Sequence, residues 1–252
     1  MNGVNLQKLN NLYEGKMGFA VGSGCSLHYQ NLDNLKNFVS IAINAAIVKI
    51  PFANFFLTDD HDIQYWNYWY DLIPNINCDL LLYKNKPWNP QKLDHIDKNR
   101  IIWFDHKCWY DPIKNKYHPE GLFFTQNPLE PIVGARNSTG SAVHFLYIMG
   151  CNPIVLLGCD CCFDGYKKYF WQYDGEDKVE KNSGPMAFTF PVGQTMDYEG
   201  KKVDKFFFEF LDYWKALAKQ AKQQNIKIID ASGGVLDIFD KMTLEEVIAY
   251  YG

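Results

Sequence analysis

The sequence predicts an α/β fold, a single Rossmann-like domain with a mostly parallel central sheet, helices on both faces and a lid-like insertion. Three observations carry this. Short apolar runs recur, and several, such as "PIVLLG" and "IKIID", are apolar without alternation, as suits strands covered on both faces. Helical patterns separate them, the strongest a stripe of Phe207, Phe210, Leu211, Trp214, Leu217, Ala218 and Ala221. No repeat, low-complexity tract or Pro/Gly/Ser linker divides the chain, so residues 1–252 read as one domain.

Taken in order, the clearest strands are residues 17–21, 52–57, 79–83, 101–104, 154–157 and 226–229. Residues 31–40 form an amphipathic pattern, residues 138–149 place Val143, Leu146 and Tyr147 at helical spacing, and residues 203–224 carry the long stripe. Thr243 and Glu246 in "TLEE" make a capping-box pattern that opens a short last helix. Residues 61–77 and 160–200 break the alternation, and the second, rich in Lys, Tyr, Gly and Asp, is the lid candidate.

A chain of 252 residues that is 47 % hydrophobic and 16 % aromatic can bury a sizeable core. Its formal charge of -4 gives no broad basic field, which argues against nucleic acid or an anionic membrane surface and for a small or neutral partner. The stretch "MNGVNLQKLNNLYEGK" has no apolar leader core, and no run approaches the ~20 apolar residues of a membrane span, so a cytoplasmic protein is expected. Seven cysteines, four of them within residues 151–162, read as reduced thiols. Cys159, Cys161 and Cys162 lack a second ligand pair at zinc spacing, and no metal site is expected of them. A sheet edge and the aromatic helix leave a homo-oligomer open.

Four stretches carry chemistry. In "VGSGCSL", Gly22, Ser23, Gly24 and Ser26 follow the first strand, where backbone amides can meet a phosphate or simply turn the chain. In "NSTGSAVHFLYIMGCNPIVLLGCD", Ser138, Thr139 and Gly140 open a helix, whose following strand ends at Gly158 and Asp160. Ligands of open α/β sheets sit at such strand ends, although Ser138 or Thr139 also reads as a plain N-cap. In "FFLTDDHD", Asp59, Asp60 and His61 suit a divalent cation, a general base or a helix cap. In "GYKKYFWQYDG", Tyr166, Tyr169, Trp171 and Tyr173 could clamp a sugar or base, with Lys167 and Lys168 beside a phosphate. His61 and His106 both follow strand ends, while His144 lies inside a helix and reads as packed.

The order of these motifs, a G-x-G-x-S turn, Asn44 near the end of the second strand, T-D-D after the third, S-T-G opening a helix and G-x-D ending its strand, resembles the family 42 glycosyltransferases. These are bacterial sialyltransferases that use a CMP-activated sugar. The chain also looks like their relatives, the motility accessory factor glycosyltransferases and a group of phage proteins. The resemblance implies that Gly22, Ser23, Gly24 and Ser26 cradle the nucleotide phosphate and that Asn44, Asp59 and Asp60 face the donor. It further implies that Ser138, Thr139 and Gly140 bind sugar or phosphate, that Gly158 and Asp160 hold the nucleotide, and that Tyr166 and Tyr169 steady the leaving phosphate. Ser23 and Cys25 depart from the family's Asn and Pro, and no histidine follows His144 where the family places its base. His61, Asp60 or Asp160 would then take that part. The implied function is transfer of a sialic-acid-like sugar from a CMP-sugar to a glycan or small acceptor, with no cofactor required. The alternatives are a magnesium-dependent diphosphokinase of pterin type on a related scaffold, or a nucleotide-binding protein without turnover.

Overall fold

A computed structural model describes residues 6–108, 110–111, 116–117, 124–134, 137–174, 195–204 and 207–252. The chain begins with strands β1 (Gly18–Val21), β2 (Val39–Ile43) and β3 (Phe55–Thr58), helix α1 (Asn67–Asp71), then β4 (Asp79–Tyr83) and β5 (Ile101–Phe104). Short strands β6 (His106–Cys108), β7 (Tyr110–Asp111), β8 (Lys116–Tyr117) and β9 (Ile132–Gly134) lead to α2 (Ser138–Ile148) and β10 (Ile154–Leu157). After them come α3 (Trp171–Asp174), β11 (Thr195–Tyr198), β12 (Lys201–Asp204), α4 (Phe207–Gln223), β13 (Ile228–Asp230), β14 (Asp240–Lys241) and α5 (Leu244–Tyr251).

Eight strands make the central sheet, in the order β14-β13-β10-β1-β2-β3-β4-β5. Every pairing in it is parallel, so the sheet is more uniform than the sequence predicts. Side-chain alternation sends residues to opposite faces. Ala20, Ile41, Leu57 and Leu156 pack with Phe145 and Leu146 of α2 and Trp214 and Leu217 of α4. Phe19, Val21, Phe56 and Leu157 pack with Leu27, Leu35, Ile47, Trp69 and Val247 of α5. Burial of each such side chain stabilises by about 1.5–3 kcal/mol, which is why these strands read as unbroken apolar runs.

Two predicted elements change shape. Residues 31–40 are not one helix: a 3-10 turn, Leu32–Asn37, is followed directly by β2. Leu32 and Leu35, both buried, stand three apart and eclipse on a three-residue turn, after which Val39, Ile41 and Ile43 favour a strand. Residues 201–204 are a strand of the β11–β12 hairpin, so the long helix starts at Phe207. Residues 61–77 fold as short helical turns that bury Tyr68 and Trp69, with the Trp69 indole donating to Lys92 O at 2.8 Å. The capping box is present: Thr243 Oγ1 accepts from Glu246 N and the Glu246 carboxylate accepts from Thr243 N. Of the lid candidate, residues 175–194 lie outside the described residues. No described helix is long and apolar enough to cross a membrane.

His144 joins α2 to the strands beside it. Its Nδ1 accepts from Val133 N at 2.9 Å and its Nε2 donates to Thr125 O at 2.9 Å, which fixes a neutral tautomer. Burial pushes its pKa from 6.5 down to about 4. The unfolded chain therefore binds a proton below pH 6.5 that the folded chain refuses until about pH 4. Stability falls as pH drops through that window, by up to about 3 kcal/mol from this group. Urea unfolding at pH 7 and pH 4.5 should show the loss, and His144→Gln, though weaker at pH 7, should lose less between the two.

Candidate active site

β1 and β10 are neighbours that end together, and glycines let their ends meet. Gly22 N donates to Leu157 O at 2.7 Å and Gly24 N donates to Gly158 O at 2.8 Å. A Cβ on Gly22 would stand 2.5 Å from Gly158 O, and one on Gly24 would run into the Asp160 carboxylate. Gly158 adopts φ +59, a left-handed conformation that glycine takes without strain. Two of the three G-S-G amides are thus spent inside the protein, and only Ser23 N–H lacks an acceptor among the described residues. Ser23 Oγ donates to Ile43 O (2.9 Å) and accepts from Ala46 N (3.0 Å), tying the turn to the end of β2.

Asp160 sits at the base of this junction and is 4 % exposed. Its Oδ2 accepts from Ser26 N at 2.9 Å and from the Cys25 thiol at 3.3 Å. Its Oδ1 is buried without a hydrogen-bond partner among the described residues. Burial raises the carboxyl pKa, and the Ser26 hydrogen bonds offset part of that rise. Asn44, at φ +52 just past β2, likewise has a buried Oδ1 without a partner among the described residues, and so has the Trp214 indole Nε1 on α4. Buried polar atoms left unpaired cost ~1–3 kcal/mol each, and these three residues border one space.

That space is a cavity of about 680 Å³ at the carboxyl ends of the strands. Asp160, Asn44 and Trp214 line it, together with Gly22, Ser23, Gly24, Asp59, Asp60, Ser138, Thr139, Gly158 and Tyr169. Asn137, which the sequence does not single out, is the cap of α2: its side chain accepts from Gly140 N at 3.0 Å. Ser138 and Thr139 are therefore free of that duty and stand in the first turn at the cavity wall. Four expected residues fall elsewhere. Ser26 spends its amide on Asp160. Gly140 packs against Tyr213, where a Cβ would stand 2.6 Å from the phenol oxygen. Tyr166 is 95 % exposed. His61 is not in the lining; its ring lies 3.9 Å from Asp60 and 3.6 Å from Asp62. These three bring donor atoms within 4.8 Å of one another, and Asp60 also caps the following turn through Asp62 N.

No protein-family model matches the sequence, and no curated protein sequence matches it. Among solved structures, the chain is similar to that of MAf glycosyltransferase from Magnetospirillum magneticum AMB-1, with a TM-score of 0.53 over 95 % of this chain and 13 % identity. The likeness is one of fold. The chain spans 37 % of the length of that protein.

The α/β scaffold shared with that glycosyltransferase presents here a second polar group. His106 Nε2 meets Asp59 Oδ1 at 2.9 Å, and Ser141 Oγ donates to Asp59 Oδ2 at 3.1 Å. Both His106 and Asp59 line the cavity. Sequence reading notes His106 after a strand end but not its partner 47 positions away. Lys168 is held to Asp204 at 3.0 Å, and Lys86 is the cavity's other lysine. Cys25 is no reactive thiol: burial and the Asp160 carboxylate push its pKa up to about 12.

The junction yields a direct test of what its glycines do. Gly24→Ala, which forces a methyl group against the Asp160 carboxylate, should destabilise by about 1–3 kcal/mol, the usual cost of overpacking. Thermal unfolding would measure it, and a Gly24→Ala protein as stable as wild type would show that close approach is not what Gly24 provides.

Proposed function

We propose that the chain is a glycosyltransferase whose donor is a nucleotide-activated sugar, specifically a CMP-sugar of sialic-acid type, and whose acceptor is a glycan or small molecule. One observation carries the reading: Asn44, Asp160 and Trp214, each with a buried polar atom that has no hydrogen-bond partner among the described residues, line a single cavity at the strand ends. Two acceptors and one donor match a ligand bearing ribose hydroxyls or a cytosine amine beside an oxygen-rich sugar. The likeness of fold to a MAf glycosyltransferase supports the class.

Charge supports a donor with one phosphate. Among the described residues, four aspartates, Asp59, Asp60, Asp160 and Asp204, line the cavity against two lysines, Lys86 and Lys168. A diphosphate or triphosphate would enter that field at a cost unless a cation came with it, whereas a single phosphodiester is carried by Ser23 N–H and the first turn of α2. Ser138 and Thr139 supply hydroxyls there, and Tyr169, stacked on Trp171 at 4.4 Å and 5°, gives a flat wall for base or sugar. In this reading no metal takes part.

Thermal-shift assays against CMP, CMP-sialic acid, UDP, GDP and ATP, each with magnesium or EDTA, test it. Stabilisation by the CMP compounds in EDTA is expected, about 2.7 kcal/mol at a hundredfold excess over Kd. Asp160→Asn and Asn44→Ala should each weaken CMP binding roughly tenfold to a hundredfold while the apo protein stays folded. Stabilisation by ATP only with magnesium would replace the reading with the diphosphokinase one. CMP binding with no turnover of any nucleotide sugar would reduce it to a binding protein.

A further inference from the structure

We propose that His106 is the general base of the transfer, with its Nδ1 taking the acceptor's hydroxyl proton and Asp59 as the positioning residue behind it. The assignment rests on the glycosyltransferase reading above. Asp59 Oδ1 accepts from Nε2 of the imidazole at 2.9 Å, so the proton of the neutral ring is held at Nε2 and the lone pair is left on Nδ1. Nδ1 has no hydrogen bond among the described residues. Ser141 Oγ holds the other Asp59 oxygen at 3.1 Å, and Tyr83 meets the ring edge-on at 4.4 Å between centroids, so carboxylate and imidazole are both fixed in orientation.

Gly134 explains why the exposed edge stays open. A Cβ there would collide with His106 Cε1 and stand 2.6 Å from Nδ1, and Gly134, His106 and Asp59 all line the cavity. Every larger residue at 134 would cover the very nitrogen that Asp59 leaves unprotonated. The His106 side chain is only 10 % exposed, so the base is shielded from bulk water yet open to the ligand space. By contrast His61 lies outside the lining, and Asp160 has one oxygen committed to Ser26 N and Cys25 Sγ.

The step balances without a cofactor. The acceptor O–H gives its proton to His106 Nδ1 as its oxygen bonds the anomeric carbon, and the bond from that carbon to the phosphate oxygen breaks with its electron pair leaving on CMP. The imidazolium that forms is stabilised by the Asp59 carboxylate and releases its proton to water when product departs. The charged or titratable groups around it are Asp59, Tyr83, Asp105 with its ion partner Lys84, and His144 on α2. Tyr213 on α4 stands beside Asp59 and is held as a neutral phenol by burial.

Four measurements test this. With CMP-N-acetylneuraminic acid as donor and lactose or water as acceptor, His106→Gln should lower kcat about 10²- to 10⁴-fold. CMP affinity, by calorimetry, should stay within about threefold, since the variant removes proton transfer and not nucleotide contacts. Asp59→Asn, which leaves Nε2–H without its carboxylate acceptor, should lower kcat at least tenfold while the acceptor KM and the CMP affinity stay within about threefold; a packing role would move all three together. Nitrogen-15 shifts of the wild-type imidazole, which need neither turnover nor a variant that folds, should show the proton on Nε2. A proton on Nδ1, or a His106→Gln enzyme with undiminished kcat, overturns the assignment while leaving the transferase reading intact. A wild-type protein that binds no CMP compound overturns both.

Discussion

The close meeting of β1 and β10 around the Asp160 carboxylate is the constraint from which the rest of the site follows. Gly22, Gly24 and Gly158 let two strand ends bond to each other beyond the sheet, and a carboxylate is set at the bottom of the gap. A side chain at Gly24 would push Asp160 away; with Asp160 displaced, the Ser26 amide and the Cys25 thiol would lose their acceptor. Gly234 closes the other side, where a Cβ would collide with the Asp160 backbone, and Val235 N donates to Asp160 O at 3.0 Å. The junction therefore couples β1, β10 and the loop after β13. Three segments distant in sequence define one floor.

The cavity's acidic character is handled group by group. Asp59 is matched by His106 and Ser141, Asp204 by Lys168, and Asp60 by the amide of Asp62. Asp160 alone keeps a buried oxygen unspent. Each unpaired buried atom costs stability, and part of that cost is set around the cavity, where Asp160, Asn44 and Trp214 each carry one among the described residues and Asn44 also takes a left-handed backbone conformation.

The fold was legible because its strands are buried on both faces and its long helix is amphipathic, two signals that local pattern carries well. β2 was obscured by the apolar spacing of Leu32 and Leu35, which a period of 3.0 or 3.6 fits equally over so few residues. The cap of α2 is Asn137, and since Ser138 and Thr139 also have capping side chains, only geometry chooses among the three. The glycine turn was read through its amides, yet two of these bond the neighbouring strand. The neighbour is set by the sheet order β10-β1-β2, a long-range fact that no window of sequence contains. The His106–Asp59 pair was hidden for the same reason, because it forms only once β3, β4 and β5 lie side by side.

The helix that runs from Phe207 gives the cavity an aromatic wall. Its contributions to the lining are Phe210 and Trp214, two aromatic side chains, and the indole can donate a hydrogen bond but not accept a proton. Such a wall suits the apolar face of a sugar and one of its oxygens. Titratable groups reach the lining from several other segments, Asp59 and Asp60 after β3, His106 after β5, Asp160 after β10 and Asp204 at the end of β12, and among the described residues His106 is the lining histidine. Asp59 after one strand and His106 after another open on this one cavity, so the pair is assembled by the order of the parallel sheet alone.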